Sequence, residues 1–188
     1  MKLFSRIMMI AAVAVAVISC KNDNKSTWEE YSDWRKLNET FFEEQQYRTD
    51  GGSVSTYYTT VSPAWDPGAK ILIRYLNNRA LTAGNLTPLF NSTCSVKYIG
   101  RLYDGEPFDS SYNLTDSVYQ LQPSNVIQGW TIALMQMHVG DSAQIVIPYQ
   151  QAYGSTGSMR NGIYVIKPFS TLVFNLKLVD IPYYEVRP

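Results

Sequence analysis

The sequence predicts an α+β protein, in which one short amphipathic helix packs on one face of an antiparallel β-sheet and a helical extension precedes the sheet. Three observations predict it. Between residues 70 and 183, several segments alternate apolar and polar side chains with the period of two that turns one strand face to a core. Only one segment in that range has helical spacing, so the recurring strand–helix–strand order of a parallel sheet is missing. Ahead of it, aromatic side chains recur three to four residues apart, the spacing of a helix stripe.

The chain has 188 residues, room for one domain with appendages. Its 45% hydrophobic and 17% charged residues fit a globular protein. With 16 basic and 16 acidic residues, nothing points to a nucleic-acid or acidic-lipid surface. The 14 Tyr and 4 Trp are many for this length, as in chains that build aromatic binding surfaces.

The start of the chain reads as an address. Lys2 and Arg6 precede an apolar run over residues 7–18, which is short for a membrane span and has the length of a signal-peptide core. Val17-Ile18-Ser19-Cys20 then resembles the lipobox of bacterial lipoproteins, where cleavage precedes the Cys and its thiol takes a diacylglycerol. Residues 1–19 are thus expected to be a lipoprotein signal peptide, with Cys20 lipidated and residues 20–25 a tether. Several acyl chains, at roughly 0.8 kcal/mol per buried methylene, would hold the exported protein on a membrane of the bacterial cell envelope. Loss of Lys2 and Arg6 leaves a slightly acidic mature chain. Cys94 then has no internal partner for a disulfide and, among apolar strand residues, is expected to be a buried structural thiol.

Residues 26–69 read as a helical extension and linker, and residues 70–183 as the main domain. Ser26 and Glu29 have capping-box spacing, and a helix is expected over about residues 27–46, closed by Asp50-Gly51-Gly52. Tyr31, Trp34, Leu37 or Asn38, and Phe41 form its stripe, which packs on the main domain or on a second copy in a homodimer. Pro63 and Pro67 make residues 53–68 a loop or edge strand. Strands are expected over residues 70–76, 92–103, 117–121, 142–148 and 171–180. Residues 77–91 and 150–168 read as loops, and Asp104-Gly105 as a turn. Ser124 is expected to cap a helix through residue 137, with Val126, Ile127, Trp130, Leu134 and Met137 on one face and Gly140 as its stop.

Few polar groups suit bond-making chemistry. His138 is the one His, expected on the surface, and without a second His neither a zinc site nor a Ser–His–Asp arrangement is supported. No phosphate loop spacing occurs among the glycines, and no cofactor is called for. What stands out is a set of apolar and aromatic residues at strand starts, helix starts and loop entries: Tyr98, Phe108, Val126, Ile127, Trp130, Tyr153 and Phe174.

Their order closely resembles the FKBP-type peptidyl-prolyl isomerases over residues 94–181. Val96-Lys97-Tyr98-Ile99-Gly100 is similar to the family's V-x-Y-x-G strand, and residues 104–111 to its D-G-x-x-F-D-S-S segment. Val126-Ile127-Gln128-Gly129-Trp130, Met137-His138-Val139-Gly140, Ala152-Tyr153-Gly154 and Thr171-Leu172-Val173-Phe174 follow in the family's order. The resemblance implies a sheet curled around the short helix, and prolyl cis–trans isomerisation of proline-containing polypeptides. It also implies Trp130 as the floor of a proline pocket and Tyr98, Phe108, Val126, Ile127 and Phe174 as walls. The Tyr153 hydroxyl and the Ile127 amide would bond the peptide's carbonyls, with Asp109 at the rim. Three positions depart from the pattern. Leu114 stands where the family often pairs an Arg with the Asp. Tyr119 is the candidate for one of the aromatics ahead of the helix, with Ser117 or Val118 at the other place. The loop over residues 155–168 is longer than in minimal members, leaving Val165 or Ile166 to complete the wall.

Overall fold

The structure, a computed structural model, describes residues 25–51 and 55–184. The expected signal peptide, Cys20 and most of the tether lie outside these residues. Two helices, α1 (Thr27–Glu30) and α2 (Ser32–Tyr47), form the extension. The Ser26–Glu29 capping box is formed as expected, but the helix breaks at Tyr31, whose backbone leaves the helical region.

Strands β1 (Thr59–Val61), β2 (Ile71–Tyr75), β3 (Thr93–Leu102), β4 (Pro107–Ser110) and β5 (Tyr119–Leu121) precede the central helix α3 (Gln128–Leu134). Strands β6 (Ser142–Ile147), β7 (Ser158–Arg160), β8 (Ile163–Ile166) and β9 (Leu172–Tyr183) follow it. The main sheet runs β1-β2-β6-β9-β3-β4, with β5 also on β3, and every pairing is antiparallel. The predicted α+β class and antiparallel sheet therefore hold. β4 and β5 share one edge of β3: β4 pairs its C-terminal half and β5 its N-terminal half. Tyr98 lies between the two.

One sheet face carries Ile71, Ile73, Val96, Ile145 and Leu176 and is closed by Trp130, Ile132, Leu134 and Met137. At roughly 25 cal/mol per Å² of apolar surface removed from water, this layer is the chief source of stability in a chain whose described cysteine is unpaired. The other face is covered too. Leu72 and Val146 pack with Tyr58 and with Phe42 of α2, so the extension is part of the fold's second layer. Of the two residues left open for the helix stripe, Asn38 is buried and Leu37 is exposed.

Several expectations need correction. Helix α3 is shorter than residues 124–137, because Pro123–Asn125 forms a separate 3-10 turn and Val126 and Ile127 are extended. Ser124 therefore caps nothing, and Ile127 takes the cap position without a side-chain bond. Met137 still joins the core through tightened turns after Leu134. β4 forms over residues for which no strand was expected. Residues 150–168 contain the β7–β8 hairpin, whose two-residue turn Asn161–Gly162 has φ of 52° and 77°. Both left-handed angles are those an Asn-Gly hairpin turn supplies without strain. His138 is only partly exposed: Arg79 Nη2 lies 2.8 Å from its Nδ1, and buried Asp141 3.5 Å away. Cys94 is buried as expected, and burial pushes its thiol up to about 12, which leaves it unreactive.

Candidate functional site

The site forms where β3, β4, β5, the start of α3 and β9 converge. Tyr98 projects from the middle of β3, and Phe174 from β9 beside Gly100. Gly100 is needed for close approach, not for its backbone angle. A Cβ there would lie 2.7 Å from carbons of both the Phe108 and Phe174 rings. Without one, those rings meet edge-on at 5.6 Å over the strand. Gly129 does the same for the helix, since a Cβ would fall 2.3 Å from Ile147. It lets α3 sit down on the sheet and carry Trp130 into the core.

Trp130 is 5% exposed and forms the floor. Tyr98 and Phe174 stand edge-on to it at 5.0 and 5.1 Å, with interplanar angles of 89° and 90°. Such edge-to-face contacts contribute about 0.5–1.5 kcal/mol each beyond burial and fix the ring orientations. The resulting cavity is about 340 Å³. All eight expected residues line it: Tyr98, Phe108, Asp109, Val126, Ile127, Trp130, Tyr153 and Phe174. Tyr119, Leu121 and Asn125 complete the lining. Tyr119 was a candidate in the sequence, and it stands 6.2 Å from the Tyr98 ring. Leu121 and Asn125 were missed; β5 pairing and the 3-10 turn bring them in, and no local pattern announces either.

The polar groups are few. The Tyr98 hydroxyl donates to Asp109 Oδ2 at 2.7 Å, and Asp109 Oδ1 accepts from the Ser110 amide at 2.9 Å. Burial, then the Asp109 bond, drive the Tyr98 phenol far above its ordinary range, so it stays a donor at any physiological pH. Burial and the Asp109 charge also raise Tyr153. Among the described residues, neither the Tyr153 hydroxyl nor the Ile127 amide has a hydrogen-bond partner. Leu114 is exposed, and no cation among the described residues pairs with Asp109. Val165 and Ile166 do not line this cavity. They line a neighbouring one of about 190 Å³, together with Ser158 and Arg160 of the hairpin, which shares the Phe108, Asp109 and Tyr153 wall.

Residues 85–179 match the family model of the FKBP-type peptidyl-prolyl cis-trans isomerases. The chain belongs to this family. Over 99 residues it is 41% identical to a macrophage infectivity potentiator of Trypanosoma cruzi, covering 53% of this chain and 48% of that one. It is 37% identical over 117 residues to the peptidyl-prolyl cis-trans isomerase Mip of Coxiella burnetii, covering 61% and 48%. The chain thus spans about half the length of these curated relatives. Among solved structures, a peptidyl-prolyl isomerase from Pseudomonas syringae superposes with a TM-score of 0.62 at 27% identity, over 80% of this chain and 95% of that one. FkpA from Escherichia coli superposes with a TM-score of 0.61 at 25% identity, over 83% and 64%. As an FKBP-type chain, it shares with these structures an overlap that extends beyond the 85–179 segment.

Proposed function

We propose that this chain is a peptidyl-prolyl cis–trans isomerase acting on exported polypeptides, held to a membrane of the bacterial cell envelope through lipid on Cys20. The observation that carries the catalytic part is the cavity itself: an aromatic floor and walls with two donors on its lining, the Ile127 amide and the Tyr153 hydroxyl, that have no partner among the described residues. The apolar run over residues 7–18 ahead of Ser19-Cys20 supports the anchor.

The reaction needs no bond between protein and substrate. Rotation about an Xaa-Pro amide crosses roughly 18–20 kcal/mol because resonance must be broken. The twisted amide has lost much of its dipole, so an apolar pocket penalises it less than the planar forms. In this reading the proline ring seats on Trp130 between Tyr98, Phe108, Val126 and Phe174. The Ile127 amide and Tyr153 hydroxyl hold carbonyls on either side, and Asp109 orients the twisting amide from the rim. Binding that favours the twisted form over both planar forms supplies the acceleration. Uncatalysed isomerisation takes tens to hundreds of seconds, slow enough for newly exported chains to gain from it.

A protease-coupled assay on an Xaa-Pro peptide tests the activity. The rate is expected to rise in proportion to added protein; a folded protein that leaves the rate unchanged contradicts the proposal. One observation favours a second reading, a peptide-binding module without catalysis: Asp109 is held by Tyr98 and a backbone amide, and by no cation among the described residues. Retained peptide binding with no rate acceleration would support that reading.

A further inference from the structure

Tyr153 lies on the long segment between β6 and β9, and the N-terminal helices grip that segment at both ends. At its start, the Tyr149 hydroxyl donates to the Glu39 carboxylate at 3.3 Å. At its end, Trp34 Nε1 donates to Ser170 Oγ at 3.1 Å, and the Thr171 amide donates to Asn38 Oδ1 at 2.7 Å. Between these points sits Phe169. Its ring meets Trp28 of α1 edge-on at 5.5 Å and Tyr149 edge-on at 5.3 Å. Arg35 stacks over the outer side of the cluster, 3.2 Å from the Trp28 ring centroid and 5.4 Å from that of Phe169.

Phe169 is also in an unusual backbone state. Its φ is +61° while its side chain is 2% exposed. A bulky L-residue holds that conformation only where its surroundings over-determine it. In this state the Phe169 amide donates to the Gly154 carbonyl at 2.9 Å, and the Gly154 amide donates to the Tyr149 carbonyl at 2.9 Å. Tyr153 therefore sits in a closed turn tied at Tyr149 and Phe169, and both ties are residues that the N-terminal helices contact.

We infer that the N-terminal helices are a positioning element of the site, and that Trp28 acts through Phe169 and Gly154 to aim the Tyr153 hydroxyl at the bound peptide. The inference rests on the isomerase reading above. It assigns to the extension a role within its own domain, separate from any contact with another molecule. Trp28 is suited to the test because it is 53% exposed, so its removal leaves the sheet core untouched.

A double-mutant cycle in the full chain decides it. The isomerase kcat/KM on one Xaa-Pro peptide is measured for wild type, Trp28→Ala, Tyr153→Phe and the double variant. Trp28→Ala is expected to lower kcat/KM about three- to tenfold, as mutations along a coupled network do. In the presence of Tyr153→Phe, the same change is expected to cost less than about twofold, because the group it aims is gone. Trp28→Phe, which keeps an edge contact with Phe169, is expected to restore the rate. Equal losses in both backgrounds, or no loss in either, overturn the inference while leaving the isomerase reading intact. A wild-type chain without isomerase activity overturns both.

Discussion

Three residues set what the cavity can do. Tyr153 supplies a hydroxyl that is unpartnered among the described residues, and in the proposed binding mode removing it takes one hydrogen bond from the bound peptide. Tyr153→Phe is expected to lower kcat/KM by about 2–10-fold, the worth of one such bond, with the unfolding midpoint unchanged in urea. Gly100 sets the spacing of the rings. Its replacement by Ala drives a methyl into Phe108 and Phe174. Overpacking of this kind costs about 1–3 kcal/mol. Urea unfolding is expected to show that loss for Gly100→Ala, and the peptide assay a fall in rate as the wall is displaced. Asp109 keeps the residue the family pattern expects, while Leu114 stands where that pattern often has the Arg that pairs with it. The Asp109 carboxylate is engaged by Tyr98 and Ser110, an arrangement that fixes its orientation without a neutralising cation among the described residues.

Among the elements, the segment over residues 77–91 is tied to the α3–β6 turn by one buried carboxylate. Asp141 accepts from Thr82 Oγ at 2.5 Å, Asn77 Nδ2 at 3.0 Å and the His138 amide at 2.8 Å, with Arg79 Nε 3.3 Å away. Burial alone would raise its pKa, but these bonds and the Arg79 charge together hold it below the ordinary carboxylate range. A carboxyl depressed in the folded state contributes stability above its unfolded pKa of about 3.9, and that contribution is lost as pH falls through the lower folded value. Asp141→Ala is expected to cost about 3–5 kcal/mol at neutral pH, the penalty of breaking a buried pair. The variant should also lose less stability than wild type between about pH 5 and 2, because the carboxylate that titrates there is gone. Thermal unfolding across that range checks both, and parallel curves for the two proteins would refute the assignment.

The same scale shows what was legible in the sequence. β3 and β9 were readable because much of their burial follows a period of two, while β2 and β6, covered on both faces in part, were readable as short apolar runs. β4 was not, because Pro107-Phe108-Asp109-Ser110 is short and half polar, and its pairing with β3 across the Asp104-Gly105 turn is interrupted by a register shift at Gly100 and Arg101. β7–β8 carried a readable signal in Asn161-Gly162 that was lost inside a stretch of other turn residues. The α3 boundaries failed because Pro123 nucleates its own turn ahead of the helix. The eight lining residues were legible only through their order along the chain. Singly, Trp130 or Phe174 reads as core, which each also is.

For the whole molecule, the two layers play different parts. The face closed by α3 forms the pocket floor, while the face covered by Phe42 and Tyr58 ties the extension to the sheet. The catalytic account stands on one physical claim: a folded apolar cavity favours the twisted Xaa-Pro amide over both planar forms. Exchange NMR on a single Xaa-Pro peptide, with substoichiometric protein, measures binding and cis–trans exchange in the same sample. The account predicts exchange between the cis and trans resonances on the seconds scale or faster, proportional to protein and much reduced by Trp130→Ala. Peptide shifts that report binding, with cis and trans lines still exchanging at the uncatalysed rate, would contradict it.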